Sequence, residues 1–178
     1  MKVSEFTNIT LEVPEGIQVN LTGSTVTVTG PKGKISRDFA HTRLNISMVD
    51  GGIYIEAPLK GKRLKALVGT VAAHIKNMYK GVTLGHTYKM KVIYAHFPIT
   101  VKVAGKEVFI ENFMGERSKR LAKIVGNVKV TIKGDELVLE GADKEEIGQT
   151  AANIHSATHV KKMDPRVFQD GVYISGRE

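Results

Sequence analysis

The chain lacks cysteine and tryptophan altogether. Without cysteine there is no disulfide scaffold, no thiolate zinc site and no thiol nucleophile. The same absence fits a reducing cytoplasm rather than secretion. No apolar run approaches the ~18 residues a membrane-spanning helix needs. The opening MKVSEFTNITLEV holds no apolar stretch of the signal-peptide kind. Acid is missing from two long windows. Between Glu56 and Glu107 there are ten basic residues and no acidic one, and Arg117–Lys133 holds six basic residues and again no acid.

What is present is a chain of 178 residues, 42% apolar, with 26 Lys plus Arg against 18 Asp plus Glu, a net charge of +8. That length fits one domain or two small ones, and the apolar share is enough for a packed core. Solvated surfaces usually mix charge signs, so two one-sign windows point to an anionic polymer as partner. The acids gather at Asp135, Glu136, Glu140, Asp143, Glu145 and Glu146.

The sequence repeats itself. Pro14, Ile17, Val19, Gly23, Val26, Val28 and Gly33 match Pro98, Ile99, Val101, Gly105, Val108, Ile110 and Gly115. Ile53-Tyr54-Ile55-Glu56 matches Leu137-Val138-Leu139-Glu140, and Ala72-Ala73-His74-Ile75 matches Ala151-Ala152-Asn153-Ile154. Order, glycine spacing and helix core agree together, which implies two homologous halves. Within each half, period-two stretches such as Val26-Thr27-Val28-Thr29 predict strands. Gly23-Ser24 and Gly30-Pro31-Lys32-Gly33 predict turns. Leu64, Leu67, Val68, Val71, Ile75, Met78 and Tyr79 form one helical stripe, with Gly81 as its stop. Asp143 predicts the N-cap of a second helix, with Glu146 completing a capping box and Ile147, Ala151, Ile154 and Thr158 as its buried stripe. The fold class is α+β: two tandem domains, 1–82 and 83–178, each an antiparallel sheet with one main helix on one face.

The chemistry-bearing motifs are sparse. Gly30–Gly33 has the GxxG spacing of an RNA-clamping loop, but its flanks read as strands rather than helices, so it is a turn. His155 and His159 lie one helical turn apart without a third ligand or the following glutamate of a zinc protease, so no metal or other cofactor is expected. Lys89 and Lys91 alternate with Tyr88, Met90 and Val92, either as a basic stripe or as an ordinary amphipathic strand. In the tail, Asp164 can cap and Pro165 can start a short helix, Phe168 can anchor it, and Asp170-Gly171 turns into Val172-Tyr173-Ile174. Lys161, Lys162 and Arg166 crowd this segment, where cations can position a phosphate backbone.

These features resemble the large-subunit ribosomal protein L-six family over essentially the whole chain. The residues that carry it are the turn Val26–Gly33, Lys80-Gly81-Val82-Thr83-Leu84-Gly85, Tyr94-Ala95-His96-Phe97-Pro98 and Asn112-Phe113-x-Gly115-Glu116. The helix start Gly141-Ala142-Asp143-Lys144 and the tail Asp164-x-Arg166-x-Phe168-x-Asp170-Gly171-x-Tyr173 complete the set. The archaeal and eukaryotic branch is the nearer one, because the glycine-lysine-rich ending of bacterial members is absent.

The resemblance implies a non-enzymatic structural constituent of the large ribosomal subunit, in the cytoplasm. It implies contact with rRNA near the stalk base and the sarcin-ricin region, beside neighbouring ribosomal proteins and close to translation factors. No membrane or small-molecule partner is implied. The main RNA contacts would come from the C-terminal half. By charge, the residues assigned to them are Lys89, Lys91, Arg117, Lys119, Arg120, Lys123, Lys161, Lys162, Arg166 and Tyr173. Arg117 and Arg120 are expected as forked phosphate donors.

That half nets only +1 over residues 93–178 (13 basic, 12 acidic), against +7 over 1–92 (13 basic, 6 acidic), so its charge must be polarised. The competing readings are a general RNA-binding module or chaperone outside the ribosome, and an enzyme built on His96 or His155.

Overall fold

The computed structural model describes residues 8–49, 51–59, 61–161, 163, 164 and 166–177. The chain divides into two compact units, Met1–Gly85 and His86–Glu178.

The first unit holds strands β1 (Asn8–Glu12), β2 (Gln18–Thr22), β3 (Thr25–Gly30), β4 (Gly33–Asp38), β5 (Asn45–Val49) and β6 (Gly52–Glu56), then helix α1 (Lys62–Thr83). The second holds β7 (His86–Ile93), β8 (Thr100–Ala104), β9 (Glu107–Glu111), β10 (Arg120–Lys123), β11 (Lys129–Lys133), β12 (Glu136–Gly141), helix α2 (Lys144–Ala157) and β13 (Gly171–Arg177). The fold is therefore α+β, built twice.

Each copy carries two small antiparallel sheets rather than one. They are β2-β3-β4 and β1-β6-β5 in the first unit, and β10-β9-β8 and β11-β12-β7-β13 in the second. The division has a local cause in the first unit. After β4 the chain bends through a short 3₁₀ turn at Ala40–Thr42, so β5 pairs with β6 and not with β4.

The register repeats as well as the order. Ile53 lies opposite Leu11, and Leu137 lies opposite Met90. The amide of Val13 donates to Gly51 at 3.0 Å, and that of Val92 to Asp135 at 2.7 Å. Strand β1 is thus the counterpart of β7, and β6 of β12. The second unit adds β13 on the far side of β7.

The cores follow the period-two patterning. Val26, Val28, Ile53 and Ile55 are fully buried with Val68 and Ile75 of α1. Val108, Ile110, Leu137 and Leu139 are fully buried with Ile147, Ala151 and Ile154 of α2. Burying a side chain of this size contributes about 1.5–3 kcal/mol.

Helix α1 runs past Gly81, which is a buried helical residue; the left-handed glycine after the helix is Gly85, with φ at 79°. The extension has a partner. The turn between β3 and β4 docks on the last turn of α1. The Lys32 amide donates to the Val82 carbonyl at 2.9 Å, and the Lys32 ammonium reaches the Leu84 carbonyl. A Cβ on Gly30 would come within 2.8 Å of the Val82 side chain, so only glycine allows this approach. The Gly30–Gly33 turn thus satisfies carbonyls that a helix end leaves open.

Helix α2 starts as expected at Asp143, whose side chain accepts from the Glu145 amide at 2.8 Å. Glu146 does not close a capping box. Its carboxylate accepts from the Asn127 amide at 3.1 Å instead, drawing in the loop before β11. Thr150 is buried beside it, accepting from the Val125 amide and donating to the Glu146 carbonyl.

Candidate nucleic-acid interface

Three loops of the second unit are knitted together by side chains. They are residues 94–99 between β7 and β8, residues 112–119 between β9 and β10, and the tail 158–170 leading into β13.

The first knot is His96 with Asp170. Asp170 has no solvent exposure, and its carboxylate accepts from the His96 amide at 3.2 Å and from the His96 ring at Nδ1, 3.0 Å. A carboxylate cannot donate, so Nδ1 carries the proton. Burial works to raise the Asp170 carboxyl. The hydrogen bonds from the His96 ring and from the backbone of His96 and Ala95 outweigh it, so the group stays below the usual carboxylate range. The Phe168 ring packs 4.8 Å from the His96 ring. The tail is therefore pinned at its far end.

The second knot joins the β9–β10 loop to residues 97 and 98. The Asn112 side chain donates to the Pro98 carbonyl at 3.0 Å, and Gly115 lies so close to the Phe97 ring that a Cβ would meet it at 3.3 Å. Asn112, Met114 and Gly115 all adopt left-handed backbone, with φ of 58°, 53° and 74°. For Met114 that conformation costs about 1–2 kcal/mol, so the surrounding links must hold it.

The third knot is Arg120. Its Nε donates to Glu116 at 2.8 Å, and Nη2 donates to the other oxygen of the same carboxylate. Nη1 reaches the Ala157 carbonyl at 2.8 Å and the His159 carbonyl at 3.3 Å. The guanidinium also lies 4.2 Å over the buried Phe113 ring. Arg120 thus ties the β9–β10 loop to the end of α2, where open carbonyls attract a cation. All three guanidinium nitrogens donate within the protein, so the side chain is committed to fastening this loop.

The remaining expected cations fall into three states. Arg117, Lys161 and Arg166 are exposed on the knitted loops; Arg166 is 91% exposed, its Nε 3.6 Å from Asp164. Asp164 accepts from the Arg166 amide, as a capping residue should. Lys119 is exposed but ion-paired to Glu111 at 2.7 Å, and Lys102 holds the other oxygen of that carboxylate at 2.8 Å. The hydrogen bonds from Lys102 and Lys119 pull Glu111 down to about 2. Lys123 lies across from Glu107 on the neighbouring strand. Lys162 lies outside the described residues, as does Pro165 of the expected tail turn.

Lys89 and Lys91 stand on the face of β7 opposite the buried Tyr88, Met90 and Val92. Lys89 is half-buried with a partner of its own, and Lys91 is exposed between Glu136 on β12 and Tyr173 on β13. The Tyr173 ring lies 5.3 Å from His155 in the last turn of α2. The His155 imidazole is itself structural, its Nδ1 bonding the Val172 carbonyl at 3.0 Å.

The charge of this unit is polarised along α2. Asp143, Glu145 and Glu146 mark its start, while the Arg120 guanidinium and the His155 ring lie at its end. At 1.5 Å per residue the helix separates the two groups by about 20 Å. Sequence reasoning placed the cations but missed the residues that pin them: His96, Phe97, Asn112 and Asp170. Their fastening roles do not show in the sequence, because each acts on a partner distant along the chain.

The chain matches the family described as Ribosomal protein L6 twice, over residues 13–85 and 97–171. It is 52% identical over 168 residues to a protein named large ribosomal subunit protein uL6 from Methanocella arvoryzae, covering 94% of this chain and 95% of that protein. A protein of the same name from Methanobrevibacter smithii is 48% identical, covering 94% of each. One from Staphylothermus marinus is 52% identical, covering 92% of this chain and 91% of that protein.

Proposed function

The chain belongs to the ribosomal protein L6 family, and from that premise we propose that it anchors on large-subunit rRNA through the three knitted loops of its second unit. The family is one of structural ribosomal constituents rather than enzymes, and its members work in the cytoplasmic ribosome as part of translation. The observation that carries the reading is the geometry at the end of α2. Arg120, His96 and Asp170 hold the loops internally, while Arg117, Lys161 and Arg166 stand exposed on them. A ribosomal protein of this kind needs cations on a rigid support more than base-reading side chains. Paired rRNA offers phosphates, 2′-hydroxyls and shape, and hides its bases in a narrow major groove. The acids at the start of α2 point the other end of the unit away from RNA. Lys91 and Tyr173 extend the basic band onto the outer sheet face. The expected place in the subunit is near the stalk base and the sarcin-ricin region, where neighbouring ribosomal proteins and translation factors come close.

The test is the double variant Arg117→Ala, Lys161→Ala, with binding to large-subunit rRNA measured across a salt series. Each lost phosphate contact should flatten the slope of log affinity against log salt by about 0.7–0.9. The melting temperature should stay unchanged, because neither side chain holds the fold. An unchanged slope removes this surface from the RNA interface. Directed cleavage from a probe tethered at residue 117 then reads the location: cuts in the sarcin-ricin region support the placement, and cuts confined elsewhere overturn it.

A further inference from the structure

The two units differ at one edge. In the second, β13 lies antiparallel on the outer side of β7, with Val172 opposite Val92 and Tyr173 opposite Lys91. In the first, β1 is the counterpart of β7, and among the described residues only β6 pairs with it. Because the Val13 amide turns toward β6, the alternation of an antiparallel ladder turns those of Leu11 and Ile9 the same way. The backbone groups of Thr10 and Glu12 therefore face outward, as an open edge does.

Charge separates the two sheets further. Strands β1, β6 and β5 contain no lysine, arginine or histidine, and their charged residues are Glu12 and Glu56. Glu15 follows on the exposed turn. The matching four-stranded sheet carries Lys89, Lys91, Lys129, Lys133 and Arg177 against Glu136 and Glu140. In a chain of net charge +8 this edge is an acidic exception. Carboxylates repel phosphate, so the edge is a poor place for RNA.

A third difference lies on the helices. Thr158, just past α2, accepts the Val172 amide of β13 at 3.0 Å. The shared helix core sets Tyr79 of α1 at the matching position. Its hydroxyl is buried and has no hydrogen-bond partner among the described residues, and burial pushes it up to about 12.

We infer that β1 accepts a fourth strand in trans: an extended, lysine- or arginine-bearing segment of a neighbouring protein, antiparallel to β1 as β13 is to β7. Main-chain hydrogen bonds to Thr10 and Glu12 supply the affinity, and Glu12 and Glu56 select a basic segment. The inference rests on the reading of the chain as a large-subunit component, since the neighbour must come from that particle.

The test compares the full chain free and in purified large subunits. Amide hydrogen exchange at Thr10 and Glu12 should be fast in the free chain and slow by about tenfold or more in the particle. A zero-length carbodiimide cross-link should join Glu12 to a lysine of another protein, within a segment mapped by mass spectrometry. Thr10→Pro removes one outward amide while leaving the β6 ladder intact, a place where an edge strand tolerates proline. The variant should keep its melting temperature and lose both the protection and the cross-link. Glu12→Lys, which leaves the backbone untouched, should weaken protection through charge alone. Fast exchange in the particle overturns the inference. So does protection with Glu12 linked to a second copy of this chain, or protection that comes from RNA and survives in Thr10→Pro. If the chain does not co-purify with large subunits, the parent reading fails instead.

Discussion

One repeat has produced two different hairpins. Between β3 and β4 the turn takes residues 31 and 32; between β9 and β10 the loop takes residues 112–119. The short turn sits on the end of α1 and closes its own unit. The long loop carries Glu116, Arg117 and Lys119 outward and needs fastening. The fastening is visible in the register. Val28 and Ile110 are matching core positions; opposite Val28 stands Ile35, and opposite Ile110 stands Arg120. A buried isoleucine in one unit is replaced in the other by an arginine wrapped in a carboxylate, two carbonyls and an aromatic face. The same site in the fold thus holds one sheet by burial and the other by directed polar contacts, and only the second arrangement fixes a long loop.

The sharpest way to break this comparison is to truncate both residues. Ile35→Ala should cost about 2–4 kcal/mol through the cavity it leaves. Arg120→Ala should cost about 2–3 kcal/mol, chiefly by leaving Glu116 and two carbonyls without their donor. The two losses should part with pH. Arg120 holds the Glu116 carboxyl below its usual value. Its contribution is therefore full above the unfolded glutamate pKa of about 4.3 and falls away as pH drops through the lower folded value. Denaturant melts of both variants at pH 7 and below pH 4 check this. The Arg120→Ala deficit should shrink in acid and the Ile35→Ala deficit should not.

Next in size is the tail. Asp170→Asn should cost about 1–3 kcal/mol, because an amide cannot accept as strongly from the His96 ring and backbone. Asp170 is also depressed, so in the wild type the latch should hold above the unfolded aspartate pKa of about 3.9 and loosen as pH falls below it. Hydrogen exchange across 158–170, followed from pH 6 downward, reads this directly; the asparagine variant should show fast exchange already at pH 6. The smallest effect is a gain. Tyr79→Phe removes a buried hydroxyl that has no partner among the described residues and should raise the stability of the free chain by up to about 1 kcal/mol. A loss of stability would mean that the hydroxyl is satisfied after all.

Much of the fold was legible in the sequence. Alternating valines marked β3, the helical stripe marked α1, and Asp143 marked the start of α2. The repeat alone implied two like units. What escaped was non-local. Gly81 reads as a stop, and nothing near it in sequence says that Lys32 will carry the helix onward to Thr83. Glu146 has capping-box spacing, yet Asn127 claims it. The fastening role of Arg120 escaped because charge is visible and register is not; the longer β9–β10 loop hides its equivalence to Ile35. The exposed cations of the proposed interface stand out by charge, while the pins His96, Asn112 and Asp170 needed the fold to bring their partners near.

The pairing of β13 with β7 has a consequence for synthesis. Arg177 lies opposite Tyr88, so the four-stranded sheet closes only after nearly the whole second unit has left the ribosome making it. Every pairing of the first unit is available once Glu56 has emerged, and its helix once Thr83 has. Closing a long loop costs entropy before any contact rewards it, so the second sheet should form late. Until then the outer edge of β7 is bare, with the tail and its cations unanchored. The half proposed to hold RNA is thus the last part of the chain to become itself, and rRNA would meet it only in finished form.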